Sequence, residues 1–149
     1  RWQLPAGTLE PGGYVIVYLS GLDTSEGEFH ADFKLGQSDT AIVLSDLTGR
    51  RLSTLTWALG IPSGLAVVAE EGDKYTAYPT PGEPNSDARF ASLDMTDMDE
   101  TDPVRISELL RDNDLSVVDA DGDRPEWVES SSSSNSEPVI DCEQRLNGW

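Results

Sequence analysis

The tightest grouping of metal-capable side chains is Asp119, Asp121 and Asp123 in "DADGD". Carboxylates at alternate positions offer hard oxygens that can converge on Ca²⁺. An EF-hand loop, however, needs glycine at its sixth position and glutamate at its twelfth. Here Gly122 is fourth, and Pro125 follows soon after. An acidic β-turn explains the same residues without an ion, because Asp and Gly meet turn geometry themselves. A second acidic run, Asp97, Asp99, Glu100 and Asp102, reads as solvated linker. His30 is the single histidine, and "FHADF" shows no ligand or acid–base partner at useful spacing. It reads as a strand-edge histidine. Any Ser-His-Asp arrangement would have to run through it, and no Gly-x-Ser-x-Gly element exists. "PGG" at 11–13 lacks the lysine and the following helix of a phosphate loop. Trp2, Trp57, Trp127 and Trp149 have the rings for a sugar- or peptide-stacking platform, but packing inside a β-sandwich is the commoner use. Cys142 is the single cysteine and makes no internal bridge; it reads as a small buried hydrophobe with only Arg145 as a basic neighbour. The sequence thus assigns no catalytic, cofactor-binding or metal-ligating residue. No cofactor is expected, with Ca²⁺ at 119–123 the one ion considered.

The elements that would position these residues are short strands. "YVIVYL" (14–19) is a continuous run of β-branched and aromatic residues, suited to a strand central in a sandwich. "TAIVLSD" (40–46) is a second. The turn "LTGRR" (47–51) places Gly49 where a hairpin requires positive φ. "RLSTLTW" (51–57) alternates Leu52, Thr54, Thr56 against Ser53, Leu55, Trp57. "GLAVVAE" (64–70) and "KYTAY" (74–78) are further strands, and "PTPGEPN" (79–85) cannot pair inside a sheet. In "VRISELL" (104–110), Val104, Ile106 and Glu108 alternate against Arg105, Ser107 and Leu109. "PEWVE" (125–129) is a short strand, "SSSSSNSEP" (130–138) a low-complexity loop, and "VIDCEQRLNGW" (139–149) one more strand or half-strand. Short strands every 8 to 12 residues with Gly/Pro turns predict an all-β antiparallel sandwich or barrel.

Net charge is −18 over 149 residues. Up to Ser86 there are 5 basic and 11 acidic residues, net −6; after it, 5 and 17, net −12. Such a field repels nucleic-acid phosphates and anionic lipid and favours cations and basic or neutral partners. No apolar run approaches 18 residues, so no membrane insertion is expected.

Three stretches in order, "WQLPAGTLEPGGYVIVY" (2–18), "FKLGQSDTAIVLSDLTG" (33–49) and "PTPGEPN" (79–85), resemble the lamin-tail domain, an immunoglobulin-like β-sandwich of nuclear lamins and many bacterial proteins. They match its aromatic-x-x-Pro-x-Gly entry, its Phe-x-Leu strand and Asp-x-x-Gly hairpin, and its Pro-Gly-x-Pro-Asn terminator. "VRISELL", "DGDRPEWVE" and "LNGW" (146–149) resemble elements that come earlier in the same family. One departure is the run "SSSSSN" where the family carries apolar-aromatic-Asn, which predicts a weakened strand end. The expected organisation is therefore the later part of one lamin-tail-like domain (1–86), an acidic linker (87–103) and the early part of a second (104–149). A tandem-array fragment is the simplest account. A single permuted domain, with 104–149 docking on the 1–86 sheet, is the other. The resemblance implies a non-catalytic spacer, attachment or protein/glycan interaction module of a larger exported bacterial protein, extracellular or on the cell surface. The alternative is part of a metal-dependent hydrolase using the acidic clusters with Ca²⁺ or Mg²⁺. Partners would be protein, glycan or neighbouring domains of the same chain.

Overall fold

A computed structural model of the chain describes residues 1–70, 72–93, 103–114, 116–132, 139–141 and 145–148. Cys142, Trp149 and the acidic run 97–102 lie outside these residues. The described chain contains strands and turns and no helix, so none is long and apolar enough to cross a membrane.

Thirteen strands are described: β1 (Trp2–Gln3), β2 (Gly7–Leu9), β3 (Tyr14–Tyr18), β4 (Phe29–His30), β5 (Ala41–Ser45), β6 (Arg51–Thr56), β7 (Ala66–Glu70), β8 (Asp73–Ala77), β9 (Ala91–Ser92), β10 (Val104–Leu110), β11 (Trp127–Ser132), β12 (Val139–Asp141) and β13 (Arg145–Gly148). They form a four-stranded sheet, β1-β13-β5-β6, a seven-stranded sheet, β4-β3-β11-β10-β7-β8-β9, and a two-stranded β12-β2 ribbon. The two larger sheets face one another, giving the all-β sandwich. Pairing is antiparallel except between β3 and β4, which run parallel. A loop of ten residues between them, 19–28, is long enough to return the chain to the same edge in the same direction.

The core forms where inward residues of the two sheets meet. Ile42, Leu44, Leu52, Leu55 and Trp57 come from the small-sheet side. Val17, Val67, Val104, Ile106, Leu109 and Val128 come from the large sheet. The β5–β6 hairpin turns at Gly49, whose φ of +88° is open to glycine at no steric cost. Asp46 holds that turn: its carboxylate accepts from Arg50 N at 2.9 Å and Thr48 Oγ1 at 2.7 Å.

β10 and β11 sit in the middle of the large sheet. β11 pairs with β3 through Val128↔Val17, and β10 pairs with β7 through Leu109↔Val67. Strands from residues 104–132 thus join two strands of residues 1–86 into one ladder.

Three details differ from the sequence pattern. The register of β10 against β11 shifts between Ile106 and Glu108. The extra residue inverts the alternation, so Leu109 rather than Glu108 joins Val104 and Ile106 in the core, while Glu108 turns to the outer face. Second, the strand expected to end at Glu129 continues through Ser130, Ser131 and Ser132. Serine has little strand preference of its own, but this segment lies between two strands that both offer ladder partners. Ser132 Oγ also donates to the Glu10 carbonyl at 2.6 Å. Third, residues 90–93, within the expected linker, run back along β8: Phe90 N donates to Thr76 O and Leu93 N to Lys74 O, each at 2.8 Å.

The outer face of the large sheet is covered as well. Trp127, Tyr18, Leu110 and Ala66 form a second cluster there, with Val117 from the 111–126 loop against them. Asn113 ties that loop shut, its Nδ2 donating to Val117 O at 2.9 Å and Pro125 O at 3.0 Å. Replacing Trp127, which is 0% exposed, with alanine should cost about 3–5 kcal/mol by urea denaturation. Leu22→Ala, at a side chain 58% exposed, should stay within about 0.5 kcal/mol. Equal effects of the two would contradict this packing.

Candidate functional site

The structure distributes the sequence-identified residues rather than gathering them. Asp119 is buried, whereas Asp121 and Asp123 are exposed. The Asp119 carboxylate accepts the amides of Asp121 at 3.1 Å and Asp123 at 2.8 Å through one oxygen. Gly122, at φ +86°, lets the turn close so that its amide reaches the Asp119 carbonyl at 3.0 Å. The loop is therefore an acidic turn organised on its own backbone. No group of three or more His, Cys, Asp or Glu among the described residues is placed to hold a metal ion.

His30 is buried on the edge strand β4 and stacks on Tyr18, ring centroids 5.1 Å apart. It has two companions that the sequence reading missed. Ser20 Oγ lies 2.9 Å from Nδ1, and Glu28 Oε2 lies 3.6 Å from Nε2. The set looks like a Ser-His-acid constellation but is wired differently. In a hydrolytic triad the serine faces Nε2 and the acid orients Nδ1; here the nitrogens are exchanged. Glu28 is beyond hydrogen-bond reach of the ring and instead accepts from Ala120 N at 2.7 Å. Ser20 Oγ accepts from Leu22 N at 3.3 Å. These contacts pin the loop between β3 and β4. Only the ten-residue separation of Ser20 and His30 hinted at them.

Trp2, Trp57 and Trp127 are 6%, 5% and 0% exposed, so none offers a ring face to a ligand.

Two arrangements remain. The first is a cavity of about 370 Å³ at one end of the sandwich. Its aliphatic wall is Leu35, Ile61 and Leu65; its polar wall is Arg111, Asp112 and Glu126. Arg111 and Asp112 directly follow β10 and Glu126 directly precedes β11, so the central hairpin fixes their positions. Backbone ties hold the rim: Arg111 Nη2 donates to Gly36 O at 3.0 Å, Gly64 N to Asp112 O at 3.1 Å, and Leu19 N to Glu126 O at 2.8 Å. Ser63 Oγ donates to the Asp114 carboxylate. Burial pushes the Glu126 carboxyl above its usual range; Lys34 and Arg111 oppose that rise, and Asp112 adds to it.

The second is a pair of carboxylates on the outer face. The register of β10 and β11 sets Glu108 directly opposite Glu129, and both are 0% exposed. The "PTPG" loop caps them. Thr80 N donates to Glu108 Oε1 at 3.1 Å and Oε2 at 3.2 Å, and Thr80 Oγ1 donates to Oε2 at 3.3 Å. Gly82 N donates to Glu129 Oε2 at 2.5 Å, and Ser107 Oγ to Glu129 Oε1 at 3.1 Å. Burial raises both acids against these donors. Glu108 is pushed up to about 8, with the Glu129 charge adding to the burial effect, and Glu129 up to about 7. With every carboxylate oxygen already bonded to the protein, the pair is not laid out as an ion site. The available sequence signal was a glutamate beside apolar residues in each of two strands.

The class defined so far is an all-β sandwich with both faces of its larger sheet covered. Comparison with known proteins finds no matching family model, no matching curated protein and no matching solved structure.

The carboxylate pair makes stability depend on pH with a definite sign. In the unfolded chain both groups ionise near 4.5; in the fold they hold their protons to about 7 and about 8. Between pH 4.5 and 8 the folded state binds more protons, so this contribution to stability falls as pH rises. Glu108→Gln keeps an acceptor for Thr80 and removes the charge. It should raise unfolding free energy at pH 8 by about 2–4 kcal/mol and change it far less at pH 5. Urea denaturation at both values checks this; a destabilised variant at pH 8 would exclude a strained ionised pair.

Proposed function

We propose that the chain is a non-catalytic β-sandwich interaction module of a larger, exported multidomain protein. In this reading it attaches to a partner protein through the cavity bounded by Leu35, Leu65, Arg111 and Glu126. The observation that carries this is the cavity's chemistry. An aliphatic wall stands beside two carboxylates, Asp112 and Glu126, with one guanidinium to balance them, in a chain of net charge −18. An occupant with an apolar stem and a terminal cation, such as a lysine or arginine side chain, satisfies both walls. A protein partner is favoured over a glycan because the described tryptophans are core residues. The non-catalytic half is supported by Asp119, Ser20 and Glu28, which accept loop amides, and by His30, whose Nδ1 meets Ser20 Oγ. The likeness to lamin-tail domains supports an attachment role and an extracellular or cell-surface setting. The position of β10 and β11 between β3 and β7 supports reading residues 1–132 as one domain in permuted order.

Two measurements test the reading. In an amide NMR titration, acetyl-Gly-Lys-Gly-amide should shift residues 35–37, 61–65, 111–112 and 126, and the norleucine analogue should shift them much less. Shifts scattered over the acidic surface, or none, would remove the cavity as the contact point. Fluorophosphonate should leave Ser20 unlabelled, and calorimetry with Ca²⁺, Mg²⁺ and Zn²⁺ should show no binding heat; labelling or binding would return the chain to the hydrolases.

A further inference from the structure

Residues 78–90 form a loop whose ends meet. Tyr78 and Phe90 pack edge to face, ring centroids 4.9 Å apart, and both are exposed. Between them the chain crosses the outer face of the large sheet. Thr80 and Gly82 grip the Glu108–Glu129 pair. Further along, the Ser86 carbonyl accepts from Tyr75 OH at 3.3 Å, and the Arg89 guanidinium lies 3.9 Å over the Tyr75 ring. Beneath are Val68, Tyr75 and Ala77, a cluster with no exposed surface.

We propose that loop 78–90 is a proton-gated cover: it stays closed over Val68, Tyr75 and Ala77 while the Glu108–Glu129 pair holds a proton, and it is released when both carboxyls ionise. The proposal does not depend on the cavity, none of whose lining residues takes part.

One part of the site can yield and the rest cannot. Ionised carboxylates accept N–H bonds more strongly than neutral ones, so Thr80 and Gly82 by themselves favour the charged pair. Two charges on facing positions of adjacent strands, shielded from water, oppose it more strongly. The ordinary relief is to hydrate the charges. β10 and β11 cannot move apart, because each is laddered to strands on both sides. The loop is held to the pair by hydrogen bonds from Thr80 and Gly82 to the two carboxylates, not by strand pairing, and is the part that can lift.

The groups around the pair leave this balance in place. Tyr14 on β3 lies in the field of Glu129 and Tyr75 on β8 in that of Glu108; Glu70, Glu83 and Arg105 act on Tyr14, and Glu70 and Asp87 on Tyr75. Burial raises both tyrosines above their usual range, so they stay neutral while the pair titrates.

The test is amide exchange followed by NMR on the whole chain from pH 6 to pH 9, corrected for intrinsic rates. Protection of Thr80 and Gly82 should fall at least tenfold, with midpoints between about 7 and 8. Leu109 and Val128, in the ladder, should keep theirs. In the Glu108→Gln, Glu129→Gln double variant the two loop amides should stay protected throughout. Unchanged protection at Thr80 and Gly82 in the unmodified protein would overturn the proposal, whatever the variant does. A fall that persists in the folded double variant would overturn it as well, since the opening would then owe nothing to the pair.

Discussion

The double burial of the β10–β11 hairpin is the constraint on which the rest of the structure depends. A strand pair in the middle of a seven-stranded sheet has its edges paired on both sides. One face closes against the small sheet through Val104, Ile106, Leu109 and Val128. The other closes under two loops through Leu110 and Trp127. With edges and faces all covered, the hairpin's polar groups depend on partners inside the protein; Trp127 Nε1 and Arg105 Nε are buried without a hydrogen bond. The bulge at Ile106/Glu108 shows what this demands. It brings Leu109 into the core at the expense of regular alternation, and the Ile106 amide finds Ser53 Oγ on the opposite sheet at 3.1 Å.

The same demand explains the loops. Outward residues of a sandwich normally meet water, and Glu108 and Glu129 would be ordinary there. Covering the face removes the water, so the covering loop must supply the donors. It does so with backbone amides at Thr80 and Gly82. The segment is rich in proline and glycine, has no strand partner of its own and leaves its N–H groups free to point inward. The sheet traps the carboxylates, and the carboxylates in turn hold down the chain that traps them.

Much of the scaffold was legible because its cause is local. Aliphatic and β-branched runs at 14–18, 41–45, 66–70 and 104–110 became strands, and Gly49 and Gly122 took the turn conformations their neighbours imply. Core placement of Trp2, Trp57 and Trp127 followed from the common use of the indole ring as packing inside a β-sandwich. What was not legible depends on distant partners. Ser130–Ser132 is strand because β3 and β10 flank it, which composition does not encode. Glu108 faces outward because of a single extra residue in register, a feature invisible to a period of two. The parallel β3–β4 pair depends on how a ten-residue loop returns. For the site the contrast is sharper. The residues that drew notice as chemistry, Asp119 and His30, hold loops together. The buried pair drew none, because nothing within either strand shows that Glu108 and Glu129 come to lie opposite each other under a loop.

That contrast bears on where activity can reside in such a fold. A reactive centre needs polar groups held in place but left with unsatisfied capacity. Ser20, Glu28 and Asp119 spend part of that capacity on neighbouring backbone amides, and His30 meets Ser20 Oγ through Nδ1. The Glu126 carboxyl at the cavity is different: its environment disfavours its charge, and the nearby cations, Lys34 and Arg111, offset that only in part. A cation brought by a partner would relieve it, at a point fixed by the strand ends. The rim's charged residues are therefore positioned by the same hairpin that fixes the core, because β10 and β11 carry the buried residues along their length and the cavity's charged residues next to their ends.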